Sequence, residues 1–224
     1  MAAKPRDCRA RVAGRRELAP AIVEIDLRME DPPRLDFDPG QWISVPFGPK
    51  TVRAYTIAST PRDGSVITLC ADVAPGGIGS QWFGALAPGD DVRFKGPLGG
   101  FVFDRADTRR PLFVAEEIGI VPIRSILVHL DEADAVPPAT LVQWAPDHAS
   151  LAYGDEFAVL VRRHPGFVYH PVVESPSLAE AVQALAGGAG VAYVAGGEAT
   201  IKRVRELLMA RGLERKAVKW ERFW

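Results

Sequence analysis

The chain has 224 residues, 47% hydrophobic and 25% charged, a composition suited to one large globular domain or two smaller ones, each with its own core. Its 27 basic and 28 acidic residues leave a net charge of −1, so there is no global basic footprint for nucleic acid or a membrane surface. The only cysteines, Cys8 and Cys70, belong to no paired motif, which excludes a disulfide framework and a cysteine-ligated iron–sulfur cluster within the chain.

The stretch from Met1 to Arg16 is basic but broken by Pro5, Asp7 and Gly14, and it lacks the apolar segment of a secretory signal. No apolar run approaches the length of a membrane span, and the expectation is a soluble, cytoplasmic protein. From Cys8 to about Phe103, short apolar segments alternate with turns. Strands are expected over Ala21–Leu27, Gln41–Phe47, Val52–Ala58, Ser65–Asp72 and Val92–Phe94, separated by Asp31-Pro32-Pro33, Asp38-Pro39-Gly40 and Pro61-Arg62-Asp63-Gly64. One short helix, Ser80 to Leu86, interrupts them. Turns at this spacing with few helical signals point to an antiparallel six-stranded β-barrel.

The texture changes near residues 104–110. Pro111–Ala115 is wholly apolar, as expected of a strand buried on both faces. Helix Pro122–His129, strand Ala139–Trp144, helix Leu151–Arg163, strand Phe167–Val173, helix Ser177–Leu185, strand Val191–Ala195, helix Thr200–Ala210 and strand Lys216–Phe223 follow. Strands alternating with helices imply a doubly wound parallel sheet. The expected domains are therefore 1–106 and 107–224. The four histidines, His129, His148, His164 and His170, show no ligand spacing and read as surface or core residues.

Two stretches carry chemistry. In Arg53-Ala54-Tyr55-Thr56, alternate side chains of an extended segment share a face, so a guanidinium suited to a phosphate lies beside a ring suited to stacking. Thr56 adds a small donor and acceptor. Alone, the run also reads as an edge strand with an exposed Arg and a half-buried Tyr. Gly76-Gly77-Ile78-Gly79-Ser80 then places three glycines before a short helix, where backbone can approach a ligand closely and free amides attract anions. A ligand-free hairpin turn is the other reading of that segment taken by itself. The two stretches in this order, followed by Gly96-Pro97-Leu98-Gly99, favour a phosphorylated aromatic cofactor.

At this point the chain resembles the ferredoxin–NADP reductase superfamily along nearly its whole length. The resemblance implies a flavin-dependent oxidoreductase, with FAD as the commoner cofactor and FMN the alternative, passing electrons between NAD(P)H and a carrier such as ferredoxin, flavodoxin or an oxygenase component. It implies that Arg53 binds a flavin phosphate, that Tyr55 packs on the isoalloxazine ring and that Thr56 bonds near its reactive edge. Gly77, Ile78, Gly79 and Ser80 would hold the pyrophosphate, and Ala71 and Asp72 would line the flavin tail. The ending Lys219-Trp220-Glu221-Arg222-Phe223-Trp224 is similar to the family's Glu-x-Phe terminus, which marks Glu221 as a catalytic candidate. Trp224 either covers the flavin face or packs at a domain interface. Arg105, Arg109 and Arg110 are candidate carrier contacts, or simply a solvated loop.

The second half departs from the family. A Gly-Gly-Thr-Gly-Ile-x-Pro loop is replaced by Glu116-Glu117-Ile118-Gly119-Ile120-Val121-Pro122, leaving Gly119 and Pro122 as its nucleotide-binding remnants. A carboxylate about 5 Å from a phosphate charge repels it by roughly 3 kcal/mol at an effective dielectric of ~20. Pro146 stands where relatives often carry an Arg, Glu174-Ser175 where they carry Ser-Arg, and Ala195-Gly196-Gly197 where they carry Cys-Gly-Pro. Gly196 and Gly197 complete the nucleotide candidates. These departures raise an alternative: a flavin-binding electron-transfer module or subunit that has lost nicotinamide nucleotide binding.

Overall fold

The computed structural model describes residues 4–173 and 177–224, so the Glu174-Ser175 pair lies outside the described residues. Two compact units emerge: residues up to Phe103 together with Arg124–His129, and Asp104–Ile123 together with Leu130–Trp224.

The first unit holds six antiparallel strands, β1 (Arg6–Ala19), β2 (Ile22–Asp31), β3 (Trp42–Pro46), β4 (Val52–Thr56), β5 (Val66–Asp72) and β6 (Asp91–Leu98), and one helix, α1 (Ile78–Ala85). Their order is β4-β3-β6-β1-β2-β5. Just beyond β4, Ile57 pairs antiparallel with Leu69 of β5, and the Ala58 amide donates to the Thr68 carbonyl at 2.7 Å. The two edge strands thereby meet and the sheet closes into a barrel. Ile25, Leu27, Ile43, Ile57, Ile67 and Leu69 fill its interior with no exposed surface.

The first strand is the main addition to the sequence reading. In β1 the small apolar residues Cys8, Ala10 and Val12 turn inward while Asp7, Arg9 and Arg11 face water. Its period-2 pattern is genuine, but the charges at its outward positions, Arg9 and Arg11 among them, give it the look of a basic tail.

The second unit is a five-stranded parallel sheet built from β7 (Pro111–Glu116), β8 (Ala139–Ala145), β9 (Phe167–Val173), β10 (Val191–Gly196) and β11 (Val218–Arg222). The strand order is β11-β10-β7-β8-β9. Four helices connect the strands: α2 (Ile120–Glu132), α3 (Gly154–Arg163), α4 (Leu178–Leu185) and α5 (Glu198–Ala210). Alternation along each strand divides the side chains between two apolar layers. Leu112, Val114, Val142, Ala192 and Val194 pack with Val182 of α4 and with Ile201, Val204 and Leu208 of α5. Tyr169, from the opposite face, packs on Phe157 of α3 with ring centroids 5.2 Å apart.

Element ends differ from expectation where local turns intervene. Helix α3 begins at Gly154 rather than Leu151, after a 3-10 turn at His148–Ser150 and a left-handed Tyr153 at φ 64°. A second such turn, Arg215–Ala217, delays β11 to Val218.

The winding sets where a ligand can lie. From β7 the chain steps through β8 to β9, then returns across the sheet to β10 on the other side of β7. The reversal leaves a crevice beyond the carboxyl ends of β7 and β10, the position where open α/β sheets bind ligands. Glu116 ends β7, and Gly196 ends β10 with Gly197 beginning α5.

Candidate functional site

In the first unit, strand β4 delivers Arg53, Tyr55 and Thr56, and the loop after β5 delivers the glycines. The two meet. The Tyr55 hydroxyl donates to the Gly79 carbonyl at 3.0 Å. A β-carbon at Gly79 would lie 2.9 Å from that hydroxyl and 3.0 Å from Cγ of Arg53, so only glycine permits this approach. Arg53 and Tyr55 therefore share a face, as the alternation predicts. The Tyr55 ring is 7% exposed and stacks on Phe83 of α1 at 5.1 Å, with Trp82 at 5.4 Å. Burial pushes its phenol up to about 12, with the Arg53 guanidinium pulling the other way.

The Arg53 side chain is exposed and donates to its own neighbour, the Val52 carbonyl, at 2.9 Å. No side chain among the described residues caps the start of α1 at Gly77, which leaves the first-turn amides of Ile78, Gly79 and Ser80 without the acceptor that a capping residue supplies. A guanidinium, an uncapped helix start and a glycine approach form an anion cradle beside an aromatic wall, and that donor set fits a flavin phosphate. Thr56 is 4% exposed behind this wall. Ala71 and Asp72 are half-buried at the end of β5, where an Asp72 carboxylate oxygen accepts from the Ala74 amide at 2.8 Å and shapes the turn leading to the glycines. Phe83, which the sequence reading passes over, backs Tyr55; its aromatic type three residues after Ser80 was the available signal.

In the second unit the nucleotide candidates gather at the switch-point crevice. The Glu116 carboxylate crosses it, with Oε2 accepting from the Gly197 amide at 2.8 Å and Oε1 accepting from the Thr200 hydroxyl at 2.6 Å. Of the two loop carboxylates, this one is turned inward rather than to solvent. Glu117 takes φ 48°, a left-handed conformation suited to the glycine of the family loop. Gly119 is buried against the Ala195 carbonyl, and Pro122 is buried in the first turn of α2.

A β-carbon at Gly196 would lie 2.7 Å from Cβ of Glu116, and one at Gly197 would lie 2.5 Å from Nε1 of Trp224. These two glycines thus make room for the chain's own Glu116 and Trp224. Thr200 is the functional partner that sequence reasoning missed, because it lies 84 residues from Glu116.

Glu221, the penultimate residue of β11, lies in register with Ala195. Its Oε2 is buried without a hydrogen-bond partner, and desolvation lifts its carboxyl to about 7. Of the junction arginines, Arg109 is bound to Asp107 through Nε at 2.8 Å and Nη2 at 2.5 Å, which holds Asp107 down at about 2. Arg110 donates to the Thr140 hydroxyl at 3.4 Å.

Comparison with known proteins agrees with this anatomy. Residues 9–103 match the oxidoreductase FAD-binding domain family, and residues 108–224 match the siderophore-interacting protein family. Ferredoxin–NADP reductase B of Sorangium cellulosum is 29% identical over 96% of both chains. The phenol hydroxylase P5 protein of Acinetobacter pittii is 30% identical over 76% of this chain, which spans about half (48%) of that relative. Among solved structures, the Amycolatopsis cytochrome P450 reductase GcoB superposes with a TM-score of 0.86 at 24% identity, over 98% of this chain and 70% of that one. The class is thus an FAD-binding oxidoreductase of the ferredoxin reductase type. The chain belongs to the ferredoxin–NADP reductase superfamily and, through residues 108–224, to its siderophore-interacting protein family.

Proposed function

We propose that this oxidoreductase takes two electrons from a reduced nicotinamide nucleotide and passes them on one at a time to a carrier protein such as ferredoxin, flavodoxin or an oxygenase component. A bound flavin supplies that two-to-one conversion, and the protein supplies orientation and electrostatics. The observation that carries the reading is the convergence of Arg53, Tyr55 and the uncapped start of α1 on Gly79.

In this assignment Arg53 and the amides of Gly77, Ile78, Gly79 and Ser80 hold the cofactor's phosphates, while Ala71 and Asp72 border its tail. Tyr55 and Thr56 frame its ring. FAD is the cofactor, and FMN would use the same Arg53. The Glu221 carboxyl, lifted to about 7, can hold or release a proton near neutral pH, and Trp224, 55% exposed, offers an aromatic face beside Gly197. Gly119, Pro122, Gly196 and Gly197 border the nucleotide crevice. The relatives' names support a carrier protein as acceptor, and the siderophore-interacting match adds a ferric chelate as a further one-electron acceptor. No helix among the described residues is long and apolar enough to cross a membrane. We place the protein in the cytoplasm.

A second reading is favoured by the Glu116 bond to Gly197: a flavin-binding electron-transfer subunit that takes electrons from another donor. Anaerobic mixing of the FAD-loaded protein with NADH and with NADPH separates the two. Rapid bleaching of the flavin absorbance by either nucleotide establishes the first. A flavin that stays oxidised with both, yet reduces with dithionite, establishes the second.

A further inference from the structure

The start of α5 is an anion-attracting feature at the switch-point crevice, and the chain itself occupies it. Helix α5 has 13 residues, and Gly197 at its start has no side chain with which to cap it. The Glu116 carboxylate takes that place from across the crevice, bonded to the Gly197 amide at 2.8 Å and to the Thr200 hydroxyl, in the first turn, at 2.6 Å. Neither partner is near Glu116 in sequence; the geometry is a strap from the end of β7 to the helix beyond β10.

Several neighbours reinforce it. Gly196 and Gly197 lack the β-carbons that would collide with Glu116, and the Trp224 indole lies over Gly197. A further carboxylate stands close in the chain: Glu198 in the first turn of α5, paired with Arg222 at 2.9 Å. An incoming phosphate meets an occupied amide and a fixed negative charge.

We propose that Glu116 is the specificity-determining residue of the second unit: an internal anion that a phosphate-bearing donor must displace from the start of α5. The proposal rests on the reading of this crevice as the nucleotide side of the reductase. It makes donor affinity a property of one side chain. Removing its charge while keeping its shape admits phosphorylated nucleotides more tightly, whereas an uncharged nicotinamide compound gains nothing.

The test is calorimetric titration of the FAD-loaded full chain, as wild type, Glu116→Gln and Glu116→Gly, with NAD+, ADP-ribose and nicotinamide. Glutamine keeps a carbonyl oxygen to accept from the Gly197 amide and presents its NH2 to the Thr200 hydroxyl, which can accept, so the fold is retained; a thermal melt verifies it, and the glycine variant repeats the test without the side chain. The expected result is that NAD+ and ADP-ribose bind about tenfold or more tightly to both variants, with nicotinamide unchanged. Equal or weaker binding of the phosphorylated ligands by both variants overturns the proposal and leaves Glu116 a helix cap. So does an equal gain for nicotinamide, which would mark a merely opened cavity. Failure of the function reading looks different: the chain then takes up no FAD, which its absorbance shows before any nucleotide is added.

Discussion

Glu221 carries the clearest pH signature among the single side chains. Desolvation raises its carboxyl from 4.5 to about 7, so the folded protein keeps a proton that the unfolded chain releases. Its stabilising effect is complete below about pH 4.5. As pH rises from 4.5 to 7 this group draws down stability by about 1.4 kcal/mol per unit, and above about 7 the effect is gone. Urea midpoints measured at pH 5 and pH 8 test this: Glu221→Gln should show a smaller drop between the two than wild type, and identical drops would refute the assignment.

Arg53 makes a second prediction at this scale. It faces the uncapped start of α1 with no acidic partner among the described residues, so its guanidinium is available to a phosphate. A hydrogen bond to a charged group contributes about 1.5–3 kcal/mol, so Arg53→Ala should raise the FAD dissociation constant roughly 10- to 100-fold in a fluorescence titration. Unchanged affinity would place the cofactor elsewhere. The pairing of Arg53 with Tyr55 was legible in sequence because strand alternation is a local rule. The hold of Glu116 on Gly197 and Thr200 was not, because no local pattern records a bond closed over 81 and 84 residues.

Among the elements, the β1–β2 hairpin shows how charge hides a strand. Arg16 bridges Glu24, which is only 1% exposed, and Asp26 at 2.9 Å; Asp26 in turn accepts from the Thr68 hydroxyl of β5 at 2.7 Å. Arg16, from the stretch read only as a basic amino terminus, thus pairs with charges of the expected Ala21–Leu27 strand, and the network stitches three adjacent strands. Replacing Arg16 with Met keeps the aliphatic stem and removes both ion pairs beside a buried carboxylate. A loss of about 1–3 kcal/mol is expected in denaturant unfolding. A variant as stable as wild type would show that water already serves Glu24. The helices of the second unit were easier to read, since apolar strands separated by amphipathic segments repeat with one pattern. Their starts were not: Gly197 and Glu198 carry no apolar periodicity, so α5 opens two residues before the expected Thr200.

For the whole molecule, the barrel-then-parallel-sheet order was legible from turn spacing and strand–helix alternation, whereas closure through Ile57 and Leu69 depends on pairing across the unit. That order has a consequence for electron count. The sequence has two cysteines, and the structure buries both, at 5% exposure for Cys8 and 3% for Cys70. Four thiolates are needed for a cysteine-ligated cluster, so one flavin is the redox centre that the sequence and the site together support. Anaerobic titration of the FAD-loaded chain with dithionite should therefore end at two electrons per chain. Delivery to a one-electron acceptor should leave each reduced chain able to serve two acceptor molecules. An endpoint beyond two electrons would reveal a second centre and remove the need for an external carrier. An endpoint at two, with acceptor reduction at two per chain, would fix the flavin as the point where paired electrons are divided.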